Sequence, residues 1–499
     1  MEGTKSQFLD AMTNNSIMQN ASSLLAAKLI ARALGLLSTL IVARILSPDD
    51  YGIIAVAMIV QELAMRLQSI GFAANVISSS DDSDEFYSSV FLGKILLCLL
   101  LSLSIFFSSD YLADLLNSAD SAVALKIIAW VLVIESCANF NLVLCSKEKN
   151  FRPSIYSQVG AKLISVVSTI ALAIWLGNYL ALAIGMVIAA VAQLGLSYVF
   201  APPRVPLKLS FTGILKVYRY GFWYFATQMG DFLNAKLGHI FVGRYFGAAT
   251  LGHLAMASSL SSIYYSVICS SVDKANLSQV VEDIHSKTGD KQYAGTIIRA
   301  NMSYIFKIKD ILILPVHTVF IVFSDLIISM LLGPNWTSTA PMFSIICLAA
   351  IVSAYTGTYT TLISALREPQ YLSYCMLIRL AGVIASVLIG YQTENIYYML
   401  IGNVCTGLAI YLYLNYIFHT RFQVNLMVTN LQSTLQLFGS LCAAYLFYQV
   451  FQTDSVALIC YAGTLASYLV MRAYLFQDQV LLEMYEHARL FLTRKSKHA

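Results

Sequence analysis

Apolar residues run through this chain in blocks long enough to cross a lipid bilayer, separated by short polar connections. The hydrocarbon core of a bilayer is roughly 30 Å thick, which takes about 20 helical residues. On that length the pattern predicts fourteen membrane-spanning helices. The first six are 22–42, 51–72, 86–108, 121–145, 155–175 and 179–200. The next four are 220–242, 250–272, 305–332 and 341–365, and the last four are 372–390, 396–418, 431–451 and 455–476. The longest polar stretch, 273–304, is too small to hold a catalytic domain.

Composition supports this reading. Of 499 residues, 58% are apolar and 12% are charged, whereas a soluble domain carries about 25% charged residues. A chain of this size has too few polar residues to cover one soluble core. The net charge of +4 is small, and no basic cluster interleaved with aromatics suggests a nucleic-acid partner. The first 20 residues are polar and lack the apolar centre of a cleavable signal, so the first span is expected to target the chain. The nine cysteines lie in or beside apolar runs, without CxxC pairs or Cys/His metal spacing. They read as small packing residues.

Lysine and arginine set the orientation. With the N-terminus cytoplasmic, twenty of them fall in inside segments and only Arg44 and Arg244 fall outside. An even span count then places both termini in the cytoplasm. The acidic stretch Asp81, Asp82, Asp84 and Glu85 also lies inside, and carboxylates weigh little in this rule.

The chain repeats itself at an offset of 200: Val42, Arg44, Gly52, Ala55 and Ala57 match Val242, Arg244, Gly252, Ala255 and Ala257. Both segments join the first and second helix of a six-span unit, so the two halves enter the membrane in the same direction. Such parallel repeats are related by an axis along the membrane normal, with a cavity between them. The predicted fold is therefore all-α and multi-pass, with about 14 helices. The divisions are a cytoplasmic segment 1–20, an N-lobe 21–200, a cytoplasmic linker 201–219 and a C-lobe 220–418. Helices 13 and 14 (431–476) and a basic cytoplasmic tail (477–499) follow.

A charge at the bilayer centre costs about 2.5–3.5 kcal/mol on insertion scales, so it faces a partner or a wet cavity. Lys28, Arg32, Gly35 and Thr39 share one face of the first span, and Glu62, Arg66 and Ser69 share one face of the second. Two adjacent cationic stripes suggest the wall of a hydrated, anion-attracting cavity. Lys28 lies near enough to the cytoplasmic end to snorkel, and Glu62 and Arg66 can neutralise each other as an i,i+4 pair. Arg32 lies a turn deeper with no partner on its own helix, and it is the leading candidate. Lys94, Lys126 and Lys162 fall within spans three to five. Asp231 on the seventh span and Glu135 on the fourth are candidates for coupling to protons or sodium; each can also be a structural partner of a nearby cation. Tyr355 and Tyr359, one turn apart, can line a pathway and bond sugar hydroxyls. No nucleotide-binding loop, metal cluster or nucleophile motif occurs, so no cofactor is expected.

The stretch VARILSPDDYGIIAVAMIV, followed by GFAANVI at 71–77, resembles the start of Wzx-type polysaccharide flippases, within the multidrug/oligosaccharidyl-lipid/polysaccharide exporter superfamily. YGFWYF at 220–225, VGRYFGAATLGHLAMA at 242–257 and LLGPNWTSTAPMF at 331–343, with Gly333 and Trp336, agree with it. The resemblance covers about residues 20–475. It implies two six-helix lobes around a central cavity and transport of undecaprenyl-pyrophosphate-linked oligosaccharide between leaflets of the bacterial inner membrane. It also implies a polymerase and a chain-length regulator as pathway partners. Related lipid-linked precursor flippases hold pyrophosphate with arginines on the first two helices, which Arg32 and Arg66 match by helix. The acidic 81–85 stretch departs from the more basic loop of that family.

Three rival classes make different demands. A multidrug cation antiporter needs an acidic cavity, against which Lys28, Arg32 and Arg66 argue. A membrane polymerase of O-antigen units needs a large outer loop, and the outer connections here are short. A scaffold without transport has no use for charges in mid-span.

Overall fold

The computed structural model describes residues 15–68, 83–148, 150–201, 211–286, 291–424, 426–450 and 456–464. Helices and their connections account for all of them, and no strand occurs among the described residues. In order the helices are α1 (Asn15–Ala43), α2 (Pro48–Gln68), α3 (Asp84–Leu115), α4 (Ser121–Ser136), α5 (Asn141–Lys147), α6 (Arg152–Leu176) and α7 (Leu180–Phe200). They continue with α8 (Phe211–Ser286), α9 (Lys291–Leu312), α10 (Leu314–Val322), α11 (Ser324–Leu332), α12 (Thr339–Ala365), α13 (Pro369–Thr393), α14 (Ile396–Arg421) and α15 (Met427–Val450). A further helical stretch covers 456–464. Among the described residues six helices are each long and apolar enough to cross a membrane, and two bent pairs bring the number to eight. The chain is a multi-pass helical membrane protein.

It packs as two units, Met1–Ala255 and Met256–Ala499. In the first, Ile53, Ile54 and Ala57 of α2 meet Leu125, Ile128 and Leu132 of α4 in a core that also takes Ala183 of α7. Small residues let these helices approach closely, since lipid supplies no hydrophobic drive for helices to associate. In the second, Met302 and Phe306 of α9, Tyr355 and Tyr359 of α12, and Leu414 and Phe418 of α14 form the main core. Here α13 and α14 run antiparallel with glycine against hydroxyl: Gly382 faces Thr406 and Gly402 faces Ser386.

Three features depart from a set of simple straight spans. The predicted span 121–145 is α4 and α5, bent by 54°. Asn139 sits at the bend and bonds the end of α7, its backbone N–H donating to Ser197 Oγ at 2.9 Å and its side chain donating to the Ala201 carbonyl. Buried polar groups freed by a break inside a membrane need such partners. The predicted span 305–332 is split among α9, α10 and α11, with an 82° bend at Phe323. Pro315 in the first turn of α10 lacks an N–H to continue the helical ladder from α9. The polar stretch 273–304 is largely helical, carried by the ends of α8 and α9.

The predicted spans 220–242 and 250–272 both lie in α8, which turns a corner at Gly247 (φ 83°, ψ 172°). This positive φ favours glycine. Its repeat equivalent, Ser47, instead caps the start of α2. Ser47 Oγ and N–H donate to Asp50 Oδ2 at 2.6 and 3.0 Å, and Asp50 N–H donates back to Ser47 Oγ at 3.2 Å. This is a capping box. Asp50 also accepts from the Tyr179 N–H at 2.9 Å, tying the starts of α2 and α7 together.

The two repeat segments pack on one another reciprocally. A Cβ on Gly52 would strike the Ala248 carbonyl oxygen, and a Cβ on Gly252 would strike the Pro48 carbonyl oxygen. Exchanging each residue for its equivalent 200 positions away turns one contact into the other, so the local arrangement is two-fold. Arg244, expected outside from the charge count, donates to the Asp114 carbonyl at 2.9 Å, where α3 ends. Of the acidic stretch 81–85, Asp84 and Glu85 form the first turn of α3 behind the N-cap Ser83. Carboxylates belong at that end of a helix dipole. Asp81, Asp82, Ser69 and the GFAANVI segment lie outside the described residues.

Candidate functional site

The charges of the first unit's spans lie on five helices and the first arm of α8. On α1, exposed Ile30, Leu37 and Ile41 fall roughly opposite the Lys28–Arg32–Gly35–Thr39 face at about 100° per residue. The helix thus presents an apolar side suited to lipid and a separate polar side. Lys28 and Arg32 are exposed. Neither has an ion-pair or hydrogen-bond partner among the described residues. The Thr39 hydroxyl donates to the Gly35 carbonyl at 2.9 Å, which keeps it along its own helix.

Glu62 on α2 is shared by two cations. Arg66 Nη2 stands 3.1 Å from Glu62 Oε1, and Lys236 Nζ of α8 stands 3.0 Å from Glu62 Oε2. Arg66 Nη1 also donates to Gln228 Oε1 at 3.0 Å. The i,i+4 spacing foretold the Arg66–Glu62 contact. The arrival of Lys236, 174 residues further along, carried no signal in the sequence. The group remains half-buried, and it carries one net positive charge.

Asp231 is exposed on α8, one side of the helix away from Lys236. Glu135 of α4 is half-buried and lies beside Lys94 of α3. Lys126 pairs with Asp110 at 3.0 Å on the exposed end of α4. Within the spans and apart from that pair, Lys28, Arg32, Arg66, Lys94, Lys162 and Lys236 stand against Glu62, Glu135 and Asp231. The balance is cationic.

In the second unit, Tyr355 and Tyr359 are buried in the core, with Phe306 edge-on to both at 5.1 and 5.7 Å. The Tyr355 hydroxyl donates to the Asp310 carboxylate and the Tyr359 hydroxyl donates to Asn415 Oδ1 at 2.8 Å. Both hydroxyls are thus engaged by protein groups here rather than turned to open space. Beside them is an ion pair that sequence reasoning missed. Lys309, counted above as an inside-segment cation, is fully buried. It donates to Asp273 Oδ1 at 2.7 Å, the Ala354 carbonyl at 2.7 Å and Thr358 Oγ1 at 2.6 Å. All three ammonium hydrogens have partners, which marks the group as a staple of α8, α9 and α12. A cavity of about 440 Å³ lies between α10, α15 and the 456–464 helix, lined by Leu314, Leu435, Ala443 and Phe447 among others and by no charged side chain.

The succinoglycan biosynthesis transport protein ExoT of Rhizobium meliloti is 22% identical over 353 residues, 70% of this chain and 69% of that protein. The lipopolysaccharide biosynthesis protein WzxC of Escherichia coli is 23% identical over 343 residues, 68% of each. Among solved structures, the lipid II flippase MurJ in an inward closed conformation superposes with a TM-score of 0.72 at 17% identity, over 92% of this chain and 99% of that one. At that identity the likeness is one of fold. Residues 41–341, more than half of the chain, match the family described as polysaccharide biosynthesis protein, and the chain belongs to that family.

Proposed function

We propose that this protein is a flippase that carries polyprenyl-pyrophosphate-linked oligosaccharide repeat units from the inner to the outer leaflet of the bacterial cytoplasmic membrane. It works by alternating access, for surface polysaccharide synthesis. The observation that carries this reading is the cationic balance of the first unit's spans, above all Lys28 and Arg32 on a polar face of α1 distinct from its lipid-suited face. Cations placed at membrane depth need an anion or water, and the diphosphate of a lipid-linked sugar supplies the anion. Arg66, held by Glu62 and Gln228, adds a second, oriented guanidinium suited to bidentate phosphate contact. The polyprenyl chain stays with the lipid.

In this reading the N-lobe (21–200) and C-lobe (220–418), joined by the linker 201–219, alternate the exposure of the site, and both termini are cytoplasmic. Glu135 and exposed Asp231 are the carboxylates through which a proton or sodium gradient acts. A polymerase and a chain-length regulator take the product in the outer leaflet. Named relatives that serve succinoglycan and lipopolysaccharide biosynthesis support a sugar-lipid cargo, and a transporter rather than an enzyme.

The test is the leaflet distribution of undecaprenyl-linked repeat units in cells lacking the protein. Accumulation in the inner leaflet, reversed by the wild type and not by Arg32→Ala at equal membrane level, is expected. Accumulation of single units in the outer leaflet would point instead to a polymerase. An unchanged pool with altered sensitivity to cationic drugs would point to an antiporter.

A further inference from the structure

One of the first unit's span cations reaches across to a neighbouring helix. Lys162 lies on α6, and its ammonium ends against α1 at Gly35. A Cβ built on Gly35 would sit 3.2 Å from Lys162 Cε and 3.3 Å from Nζ. Any other residue at 35 would press on the lysine, so the glycine is the notch that receives it.

Gly35 is three residues from Arg32, on the same face of α1. The register of α1 and α6 sets the depth. Gly35 meets Lys162 at an offset of 127 residues, and higher on the same pair Val42 clusters with Ile170 at an offset of 128. The two helices therefore run parallel and in step, and the backbone of Lys162 lies level with the Arg32–Gly35 turn. A snorkelling lysine would point its ammonium to the nearest interface. This one lies against the neighbouring helix inside the membrane. It is half-buried, and like Arg32 it has no ion-pair or hydrogen-bond partner among the described residues. Of the unit's three span carboxylates, Glu62 is held by Arg66 and Lys236, Glu135 lies beside Lys94 and Asp231 is exposed on α8; none of them pairs with Arg32 or Lys162 among the described residues. Two neighbouring cations at membrane depth without a carboxylate between them repel each other unless an anion joins them.

We propose that Lys162 is a substrate-binding residue that pairs with Arg32 across the Gly35 notch to hold a diphosphate group. The inference rests on the flippase reading and deepens it by assigning the pair's specificity: two cations on two helices match two phosphates rather than one. Arg32 gives a planar fork and Lys162 a compact point charge, a combination suited to the two ends of one diphosphate.

The experiment measures binding of farnesyl diphosphate and farnesyl monophosphate to the purified full-length protein in detergent. The wild type is expected to prefer the diphosphate. Lys162→Met is expected to weaken diphosphate binding about tenfold, the scale of one charged hydrogen bond, and to bring the two ligands to similar affinity. Lys162→Arg should keep the preference. Gly35→Leu, which fills the notch without touching the lysine's charge, should reproduce the loss and guards against a folding defect in Lys162→Met. Unchanged diphosphate preference in both Lys162→Met and Gly35→Leu overturns the proposal, as does a wild type without preference. Loss in Arg32→Ala with none in Lys162→Met removes Lys162 only and leaves the flippase reading standing. Failure of the flippase reading registers separately, in the leaflet assay.

Discussion

A methyl group placed on Gly252 would lie 2.9 Å from the backbone nitrogen of Gly52. The two repeat-equivalent glycines thus meet almost backbone to backbone. Each also abuts the carbonyl of the residue four positions before its partner. Either Gly52→Ala or Gly252→Ala must push two helix starts apart. The expected destabilisation is about 1–3 kcal/mol each, the usual cost of overpacking. Because both substitutions relieve or strain one contact, the double variant should lose less than the sum of the two. Thermal unfolding of the purified protein in detergent reads this; additive losses would show that the two glycines do not share a contact.

Glu62 holds Arg66 and Lys236 together from two helices. Its pairs are about one-third exposed, so each contributes modestly, on the order of 0.2–1 kcal/mol. A double-mutant cycle of Glu62→Gln with Lys236→Met should give a coupling of that size in unfolding. The larger effect is expected on transport. Glu62→Gln releases both cations and should slow glycolipid transfer at unchanged membrane level, read as a rise in inner-leaflet substrate.

Lys309 is a different case, because its pairing with Asp273 is buried. Lys309→Ala leaves the Asp273 carboxylate without its counter-charge, at an expected cost of about 3–5 kcal/mol. Joint replacement by Lys309→Met and Asp273→Asn should recover most of that loss, since no charge is left unpaired. Chemical unfolding of the three variants tests it; a double variant as unstable as Lys309→Ala would contradict the staple role.

Asp50 combines a capping box with a bond to the Tyr179 N–H. Asp50→Ala should therefore cost about 1–2 kcal/mol, at the upper end for a lost cap. Its exposed neighbour Asp49 contributes only to the helix dipole, and Asp49→Ala should change stability by about 0.5 kcal/mol or less. The difference in unfolding temperature between the two variants checks the assignment.

Much of this molecule was legible in its sequence because bilayers impose few choices. Apolar length predicts helices, and the identities at 42–57 and 242–257 predict two segments that play the same part. The Arg66–Glu62 pair follows from spacing within a single turn. Gly333 and Trp336, which carried the family resemblance, lie in the connection before α12, where Gly333 takes φ 97° and Trp336 is fully buried.

What stayed hidden depends on distances between helices. In sequence Lys162 falls within a predicted span and Lys309 among the inside-segment cations, and neither carries a sign of its partner. Only packing makes Lys309 a buried staple with every hydrogen engaged and leaves Lys162 against Gly35 without a counter-charge. The breaks at Phe323 and Cys137–Phe140 are likewise invisible in hydropathy, because a bent helix and a straight one bury the same residues in lipid. The sequence by itself determined a many-helix membrane protein with repeated halves and an excess of cations in the spans of the first. Tertiary structure decided which of those cations are neutralised, because helical periodicity sets one face at a time and only neighbouring helices bring the partner.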